Sequence, residues 1–469
     1  MVIEAKAMTQ ETFEEAVDRI YRIPLYTKKN KMEDTRLFLE KMGNPQKKLK
    51  IIHVAGTNGK GSTCTYLSNL LQLGGYKVGV FTSPHLIDIR ERITINSEMI
   101  SKNQFLKSVK YVDTLLEEGD FHPTYFEYLF FIAIHTFNQA NLDFVILETG
   151  LGGRYDATNS VDNKILTILT KIALDHTQYL GNTIKEIAGE KVEILRENTP
   201  AIYLDSDKEA TEVIEEKIKE LKIKANSIKP YTNKEFYYDS LYFGTIEMHL
   251  KTKALYQIDN ASLALAAFER LIDLKVVEIE KYDKKDVIKT INNTVWQGRM
   301  EEIQKDIFLD GAHNLDGIIA CLDSIKENST NLNNTLIFGV VADKDYSHMM
   351  EYILSADLFD NIILTKIDND RCVDLDDLIK VIDIFHKKNK RHINIEVSTN
   401  VKEAIALAKA KKQEQKQEQE QKKEQEQEQD KINNKVNMMD NAYLVDRRIY
   451  ILGSLYLVGE ARAILDLSR

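Results

Sequence analysis

The chain has 469 residues, more than one hydrophobic core usually supports, which predicts two or three domains. Hydrophobic residues make up 43% and charged residues 29%, as in an ordinary globular enzyme, and a formal net charge of −10 argues against a nucleic-acid partner. No apolar run approaches the roughly 18 residues that span a bilayer. We therefore expect a cytoplasmic protein without a membrane partner.

The first motif is an apolar strand followed by a glycine-rich turn and a helical pattern. The strand covers 51–55, and the turn holds Gly56, Gly59 and Lys60. Such a turn brings backbone N–H groups, a helix N-terminus and a lysine to phosphate oxygens. It departs from the common G-x-x-x-x-G-K-[ST] loop, because Val54 replaces the first glycine and Gly61 follows the lysine. We interpret it as a variant phosphate-binding loop.

Two further strand patterns end in polar residues. The run 77–81 is followed by Thr82 and Ser83, and the apolar run 143–147 ends in Glu148. Parallel strands present ligand groups at their carboxyl ends, so we expect these side chains to face a ligand. A carboxylate at such a strand exit suits Mg²⁺ held on a nucleotide. A simple turn or cap role for Ser83 is the alternative from local sequence alone.

The rest of the first half alternates helical and strand patterns. Helices are predicted within 8–42, over 101–118 and over 124–140. A strand over 164–169 leads to Asp175 and His176, and a helical pattern over 184–195 contains Lys191. From local sequence alone, His176 is a turn residue and Lys191 a solvated helix charge.

Residues 200–295 mix both patterns. We predict a strand near 201, a β-rich patch over 236–250, and helices over 207–221, 258–272 and 283–293. The break at 296–301 places a domain boundary between 297 and 298.

Beyond that boundary, strands and helical patterns alternate, which is typical of a second doubly wound α/β domain. The predicted strands cover 306–310, 335–341, 361–366, 393–397 and 449–453. Asp310 and His313 follow the first of them and are expected to face a ligand crevice. The segment 411–431 contains only glutamine, lysine, glutamate and aspartate. It cannot bury an apolar face, so we expect a solvated insertion.

Together these motifs resemble the folylpolyglutamate synthase and dihydrofolate synthase family of the Mur ligase superfamily, over nearly the whole chain apart from the insertion. The residues that carry the resemblance are His53-Val54-Ala55-Gly56-Thr57-Asn58-Gly59-Lys60-Gly61-Ser62, Thr82-Ser83-Pro84-His85-Leu86, Glu91-Arg92-Ile93, Glu148-Thr149-Gly150-Leu151-Gly152-Gly153, Leu174-Asp175-His176, Gln297-Gly298-Arg299, Asp310-Gly311-Ala312-His313-Asn314 and Gly453-Ser454-Leu455-Tyr456.

The resemblance implies an α/β fold with two parts. Residues 1–297 would form an ATP-binding, P-loop domain of the Mur ligase type with a mostly parallel sheet, and 298–469 a smaller Rossmann-like domain. The implied activity is an ATP-dependent amide ligase that adds L-glutamate to a folate and to dihydropteroate through an acyl phosphate. By resemblance only, we expect a monomer.

The resemblance also assigns residues. Lys60, Glu148, His176 and Lys191 would be catalytic. Two Mg²⁺ ions would be held by Ser83, Glu148 and His176, and Lys191 would be carbamylated. ATP would be bound by Thr57, Asn58, Gly59, Lys60, Gly61, Ser62, Asn260, Arg299, Asp310 and His313. Thr124 and Asp156 would contact the pterin side of the substrate. The chain departs from the family pattern after Lys191, where Val192-Glu193 replace the usual Ala-Gly.

Three alternatives remain at this stage. A GTPase-type switch is suggested by Thr365-Lys366-Ile367-Asp368, which resembles a guanine-reading element. A cell-wall ligase of the same superfamily would add an amino acid to a nucleotide-linked peptide. A non-catalytic nucleotide-binding module would release no phosphate with any acceptor.

Overall fold

The computed structural model describes residues 11–25, 30–231, 236–328, 334–389, 393–414 and 448–467. Contacts divide the chain into two units. The first comprises Met1–Leu250 and Gln257–Thr294, and the second comprises Lys251–Tyr256 and Val295–Arg469. The domain assignment made from the sequence, with its boundary at 297/298, stays a prediction.

An eight-stranded sheet forms the centre of the first unit. In chain order its strands are β1 (Ile51–Ala55), β2 (Val78–Phe81), β3 (Ile93–Ile95), β4 (Glu98–Met99), β5 (Phe144–Glu148), β6 (Lys164–Leu169), β7 (Ala201–Leu204) and β8 (Ala225–Ile228). Their order across the sheet is β4-β3-β2-β5-β1-β6-β7-β8. All pairs are parallel except those that β3 makes with β2 and β4. Every residue of β1, β2 and β5 is buried, as expected for parallel strands covered on both faces.

Helices and a hairpin complete this unit. The helices are α1 (Phe13–Tyr21), α2 (Met32–Lys41), α3 (Lys60–Leu73), α4 (Lys102–Glu117), α5 (Tyr125–Gln139), α6 (Thr177–Leu180), α7 (Ile184–Lys191), α8 (Lys208–Leu221), α9 (Tyr256–Asp273) and α10 (Lys284–Asn293). The separate hairpin pairs β9 (Tyr237–Ser240) with β10 (Gly244–Glu247) in antiparallel fashion. One large hydrophobic core of this unit includes residues of α4, α5, β2 and β5. Among its buried side chains are Phe81, Phe105, Phe130 and Phe131.

The second unit has a six-stranded sheet. Its strands are β11 (Glu301–Gln304), β12 (Ile307–Leu309), β13 (Thr335–Phe338), β14 (Asn361–Thr365), β15 (Asn394–Ser398) and β16 (Ile449–Leu452). Its helices are α11 (Leu315–Glu327), α12 (Tyr346–Ser355), α13 (Leu375–Asn389), α14 (401–414) and α15 (Leu455–Asp466). The strand order is β11-β12-β16-β13-β14-β15. Only β11 is antiparallel to its neighbour.

The last strand in sequence, β16, therefore lies between β12 and β13. Strand order reverses at this point, and in open α/β sheets ligands bind at the carboxyl ends of strands beside such a reversal. The α/β fold class predicted from the sequence is confirmed, including the mostly parallel sheet and the second, smaller α/β part.

The predicted strand over 164–169 agrees residue for residue with β6. The pattern over 184–195 is a shorter helix, because α7 ends at Lys191 and a 3-10 turn over Val192–Ile194 follows. Strands β8 and β11 were not predicted as strands, since each has only four residues, of which at most one is buried. Of the 411–431 insertion, residues 411–414 continue α14, and the remainder lies outside the described residues.

Candidate functional site

The glycine-rich turn links the end of β1 to the start of α3. Gly59 adopts the left-handed conformation at φ 89°, which favours glycine. A Cβ at this position would lie 2.2 Å from Oδ1 of Asn260 on α9. The structure therefore places Asn260 directly against the loop, in a contact between residues far apart in the sequence.

The opposite side of the loop is fixed by the segment after β6. The Lys171 carbonyl accepts hydrogen bonds from the backbone N–H groups of Thr57 at 2.7 Å and Asn58 at 3.2 Å. The Thr57 hydroxyl donates to the Ala173 carbonyl at 3.0 Å. These two amides are thus engaged within the protein. The N–H groups of the first turn of α3 have no intrahelical partner, so they are the donors of this loop best suited to an anion.

Two lysines donate to one carbonyl of the loop. Lys60 Nζ lies 3.1 Å from the Gly56 oxygen and 3.1 Å from the Thr57 oxygen. Lys191 Nζ lies 2.8 Å from the same Gly56 oxygen and its side chain is buried. Burial, together with the positive charge of Lys60, lowers the pKa of Lys191 to about 7, although Asp175 and Asp156 oppose the shift. A substantial share of this amine is therefore neutral near pH 7.

A second glycine-rich turn, Gly150-Leu151-Gly152-Gly153, lies against the end of α7. A Cβ on Gly153 would lie 2.7 Å from the Glu190 carbonyl oxygen, so only glycine permits this approach. The Arg154 N–H donates to that carbonyl at 2.9 Å. Glu193, which departs from the family pattern, pairs with Arg154 at 3.6 Å and with Lys217 at 3.4 Å. Its charge is therefore compensated by these two cations.

Glu148 is the last residue of β5 and only 3% exposed. Its Oε2 accepts the backbone N–H of Ser83 at 3.1 Å, and its Oε1 lies 4.0 Å from Lys60 Nζ. The carboxyl ends of β2 and β5 and the start of α3 thus bring Ser83, Glu148 and Lys60 together.

His176 follows the exit of β6 and precedes α6. It adopts a left-handed conformation at φ 50°, and its backbone N–H donates to Asp175 Oδ1 at 2.8 Å. Its side chain is 33% exposed, and Nε2 lies 3.9 Å from Asp175 Oδ2. Within the described ranges, no group of three or more His, Cys, Asp or Glu side chains is placed to hold a metal. The magnesium roles assigned to Ser83, Glu148 and His176 stay predictions.

Asp156 and Thr124 both organise the backbone around them. The buried Asp156 carboxylate accepts the N–H groups of Gly150 at 2.8 Å, Leu151 at 2.9 Å and Thr158 at 3.0 Å. Burial raises the pKa of Asp156, while these hydrogen bonds oppose the shift. Thr124 caps α5 through a reciprocal capping box with Glu127. Contact of Asp156 and Thr124 with a substrate stays a prediction.

In the second unit, the predicted residues gather at the end of β12. The buried Asp310 carboxylate accepts the N–H groups of Met300 at 2.9 Å and Ala312 at 2.8 Å, and also the Tyr256 hydroxyl. Burial raises the pKa of Asp310, and the charge of Arg299 opposes the shift. A Cβ on Gly311 would lie 2.3 Å from Arg299 Nη1.

His313 belongs to the same group, because its Nδ1 lies 2.7 Å from the Gly311 carbonyl oxygen. That bond requires the proton on Nδ1. The structure therefore brings Arg299, Asp310 and His313 together. Sequence reasoning missed Tyr256, whose contact with Asp310 spans 54 residues and leaves no local signal.

The segment that suggested a GTPase, Thr365-Lys366-Ile367-Asp368, begins at the end of β14 in the second unit, whereas Lys60 lies in the first. The two elements thus belong to different sheets. In the part of the chain that the structure covers, no helix combines the length and apolar character needed to cross a membrane.

Comparison with known protein families gives two matches along the chain. Residues 54–268 match the Mur ligase middle domain, and residues 298–417 match the Mur ligase glutamate ligase domain. Among curated proteins, the chain is similar to the dihydrofolate synthase/folylpolyglutamate synthase of Bacillus subtilis (strain 168). The two are 34% identical over 343 residues, which cover 67% of this chain and 76% of that protein.

Two solved structures show the same fold. The folylpolyglutamate synthase of Mycobacterium tuberculosis, complexed with ADP and AMPPCP, has a TM-score of 0.80 at 22% identity, covering 97% of this chain and 98% of that chain. The bifunctional folylpolyglutamate synthase/dihydrofolate synthase of Yersinia pestis, complexed with AMPPNP and a manganese ion, has a TM-score of 0.74 at 22% identity, with coverage of 97% and 98%.

Proposed function

The chain belongs to the dihydrofolate synthase and folylpolyglutamate synthase family of Mur ligases, and from this premise we propose that it adds L-glutamate to both dihydropteroate and folates. The enzyme is an ATP-dependent acid–amino-acid ligase. The use of both acceptors, dihydropteroate and folates, goes beyond the family assignment. It is supported by the B. subtilis relative, whose name carries both activities.

The observation that carries the proposal is the arrangement around the Gly56 carbonyl. Lys60 and Lys191 both donate to this oxygen, and Glu148 lies 4.0 Å from Lys60. The N-terminus of α3 adds its oriented N–H groups. These groups suit a polyphosphate, since they combine positive charge and backbone donors with a buried carboxylate.

The reaction follows from the chemistry of a carboxylate, which is a poor acyl donor. An oxygen of the substrate carboxylate attacks the γ-phosphorus of ATP, the bond to the β-phosphate oxygen breaks, and ADP leaves. The amine nitrogen of L-glutamate then attacks the acyl carbon and loses a proton, and the bond to phosphate breaks. The protein contributes positioning and charge neutralisation at both steps.

The first unit also offers residues for magnesium. Glu148 supplies a buried carboxylate whose Oε2 is oriented by the Ser83 N–H, and carboxylate and hydroxyl oxygens are the ligands this ion prefers. We assign Ser83, Glu148 and His176 to hold two ions. When bound, Mg²⁺ would neutralise phosphate charge.

We further propose that Lys191 is carbamylated. Only a neutral amine adds to CO₂, and the lowered pKa of about 7 provides that form near neutral pH. A new N–C bond forms, the amine loses a proton, and the product is an anionic carbamate. This reverses the charge beside Lys60, replacing a repulsion with an attraction.

The remaining assignments concern the nucleotide. We propose that the loop residues Thr57 to Ser62, together with Asn260, Arg299, Asp310 and His313, bind ATP, and that the enzyme acts as a monomer. Asn260 is supported by its contact with Gly59.

The test is ADP formation with Mg²⁺ and L-glutamate, comparing dihydropteroate, tetrahydrofolate and no acceptor, with products identified by mass. We expect one added glutamate on dihydropteroate and further additions on the folate. Activity with nucleotide-linked cell-wall precursors, but with neither pteroate nor folate, would overturn the proposed substrates. Preferential stabilisation by GTP over ATP in a thermal shift would contradict the nucleotide assignment.

A further inference from the structure

The end of α7, which carries Lys191, is flanked by two carboxylates. Glu190 lies on the last turn of α7, and Glu193 lies three residues further along, on the 3-10 turn that follows. Like charges at this spacing repel each other, and negative charge near the C-terminus of a helix also opposes the helix dipole. Without a compensating cation, these two carboxylates would favour opening of the turn that holds Lys191.

Arg154 contacts both of these carboxylates. Its Nε donates to Glu190 Oε1 at 2.9 Å, and its Nη2 lies 3.6 Å from Glu193 Oε1. The same Nη2 lies 3.5 Å from the carbonyl oxygen of Gly189, and a cation beside the C-terminus of a helix interacts favourably with its dipole. One guanidinium group thus joins two like charges and the last turn of α7.

The backbone of Arg154 is fixed to the same turn. Its N–H donates to the Glu190 carbonyl at 2.9 Å. Its own carbonyl accepts a hydrogen bond from Nδ2 of Asn159 at 3.3 Å, and this amide also donates to the Glu193 carbonyl at 3.1 Å. Arg154 is therefore held at its main chain, so its guanidinium group starts from a defined place beside the end of α7.

Helix α8 supplies a second cation to this cluster. Lys217 Nζ lies 3.4 Å from Glu193 Oε1, the oxygen that also faces Arg154. Glu193 is one of the two positions after Lys191 at which the chain departs from the family pattern. Its carboxylate thus links the glycine-rich turn, the end of α7 and α8 through one oxygen.

These contacts bear on where the amine of Lys191 lies. Its Nζ is 2.8 Å from the Gly56 carbonyl oxygen, and a Cβ on Gly153 would lie 3.0 Å from Lys191 Cα. The turn that carries Arg154 therefore packs directly on the backbone of Lys191. A misplacement of about 1 Å can slow a reaction about 10²-fold, whereas an exposed ion pair adds little to overall stability. Since 41% of the Arg154 side chain is exposed, its contacts affect local position more than stability.

We propose that Arg154 is a positioning residue, whose guanidinium group fixes the last turn of α7 and thereby places the amine of Lys191 for the ligase reaction. The inference rests on the proposed function, in which Lys191 takes part beside Lys60. It adds a residue that acts through Lys191 rather than on the reacting atoms. Glu193 and Lys217 extend the same network to α8.

Arg154→Met tests this proposal. We expect kcat to fall roughly threefold to tenfold, while the KM values for ATP and L-glutamate stay within about twofold. The Tm should not change, because the lost ion pairs are exposed. Arg154→Lys should recover only part of kcat, because lysine keeps the charge but lacks the fork that reaches both carboxylates. Glu193→Gln should give a smaller fall, since the contact between Arg154 and Glu190 remains.

A double-mutant cycle shows whether Arg154 acts through Lys191. Effects of residues that act through one another are not additive, so adding Arg154→Met to Lys191→Met should lower kcat no further. A full additional loss in the double variant would overturn the inference, and so would an unchanged kcat in Arg154→Met alone.

Arg36→Met is the matched control. Arg36 pairs with Asp162 at 3.4 Å in the same unit, and its side chain is 42% exposed, nearly the same fraction as for Arg154. This variant should leave kcat unchanged. An equal loss of kcat in Arg36→Met would show that the effect is not specific to the end of α7.

Hydrogen exchange of the peptide that covers the end of α7 gives a readout independent of activity. Exchange should be faster in Arg154→Met than in the wild type and unchanged in Arg36→Met, because opening of a turn exposes its amides. Unchanged exchange in Arg154→Met would overturn the inference. If exchange becomes faster but the wild type forms no ADP with any acceptor, the proposed function fails while the structural effect of Arg154 on this turn stands.

Discussion

Two buried lysines of the first unit occupy very different surroundings. Lys164 begins β6 and donates to Asn159 Oδ1 at 2.7 Å and to the Ile194 carbonyl at 2.9 Å. Lys191 ends α7 and donates to the Gly56 carbonyl at 2.8 Å, beside Lys60. Burial is the largest cause of a lowered pKa in both. The difference lies in what surrounds each amine.

The comparison teaches that burial of a lysine does not by itself mark a reactive site. Lys164 joins two stretches of backbone at the amino end of a strand. Lys191 donates to the Gly56 carbonyl of the glycine-rich loop. Each amine has a neighbouring cation that helps to lower its pKa, Arg196 for Lys164 and Lys60 for Lys191, so the difference between them is the place of Lys191 at this loop. We therefore propose that Lys164 stabilises the fold and that Lys191 takes part in the reaction, and the predictions below test these two roles.

The largest expected effect comes from Lys60, which donates to the same Gly56 carbonyl as Lys191 and lies 4.0 Å from Glu148. Lys60→Ala should reduce ADP formation by at least about 10³-fold, because it removes the positive charge that lies 3.1 Å from two carbonyls of the loop. Since Lys60 is partly exposed, the Tm should change little. Steady-state kinetics and thermal unfolding check both parts, and full activity in the variant would break the assignment of the loop.

Glu148→Ala should reduce turnover by roughly 10²–10³-fold. The carboxylate is buried at the strand exit and oriented by Ser83, so its loss removes the predicted metal ligand. Titrating Mg²⁺ separates a metal defect from a folding defect. A metal role predicts that the variant needs more Mg²⁺ for residual activity, whereas an unchanged Mg²⁺ dependence would argue against it.

The two lysines can be compared directly by the same substitution. Lys191→Met should lower turnover by roughly tenfold to a hundredfold, because it removes the amine that we propose is carbamylated beside Lys60. Lys164→Met should leave turnover per folded molecule unchanged. It should lower the free energy of unfolding by about 1–3 kcal/mol, since buried acceptors lose their donor. Both variants are measured by denaturant unfolding and by steady-state kinetics. A loss of turnover in Lys164→Met, with unchanged turnover in Lys191→Met, would contradict the roles assigned to the two lysines.

Lys191 also predicts how stability depends on pH. Its pKa is about 7 in the folded protein and about 10.4 in an unfolded chain. Between these values the unfolded state binds more protons, so this group makes the free energy of unfolding rise as pH increases from about 7 to about 10. In CO₂-depleted buffer, Lys191→Met should show a shallower rise than the wild type. Equal slopes would contradict the lowered pKa.

The smallest effect is expected for the polar insertion. Lys412 pairs with Asp306 at 2.9 Å, and Lys411 pairs with Glu396, so a deletion should begin after these residues. Removing 415–431 should change turnover by less than about twofold, because the segment has no apolar side chain to bury. Loss of folding after this deletion would contradict a solvated insertion.

Much of the fold could be predicted, because the apolar run of a strand and the polar residues directly after it can be recognised within a short stretch of sequence. The continuous apolar run before Glu148 indicated the buried strand β5, the pattern over 51–55 indicated β1, and the strand-end rule pointed to Ser83 and Glu148 as ligand-facing. The structure adds that these two residues contact one another. Sequence reasoning also singled out Lys60 as the lysine of the loop.

The rest depended on contacts between distant residues. From local sequence alone, we interpreted Lys191 as a solvated charge on a helix. Its hydrogen bond to the Gly56 carbonyl, 135 residues away, shows that its amine is buried beside a second lysine.

The most direct measurement of the central claim is ¹³C NMR of the enzyme in [¹³C]bicarbonate, recorded for the wild type, Lys191→Met and Lys164→Met. The account predicts a carbamate resonance in the wild type that persists in Lys164→Met and disappears in Lys191→Met. A resonance that survives in Lys191→Met, or its absence from the active wild-type enzyme, would contradict the assignment of Lys191 as the chemically active lysine.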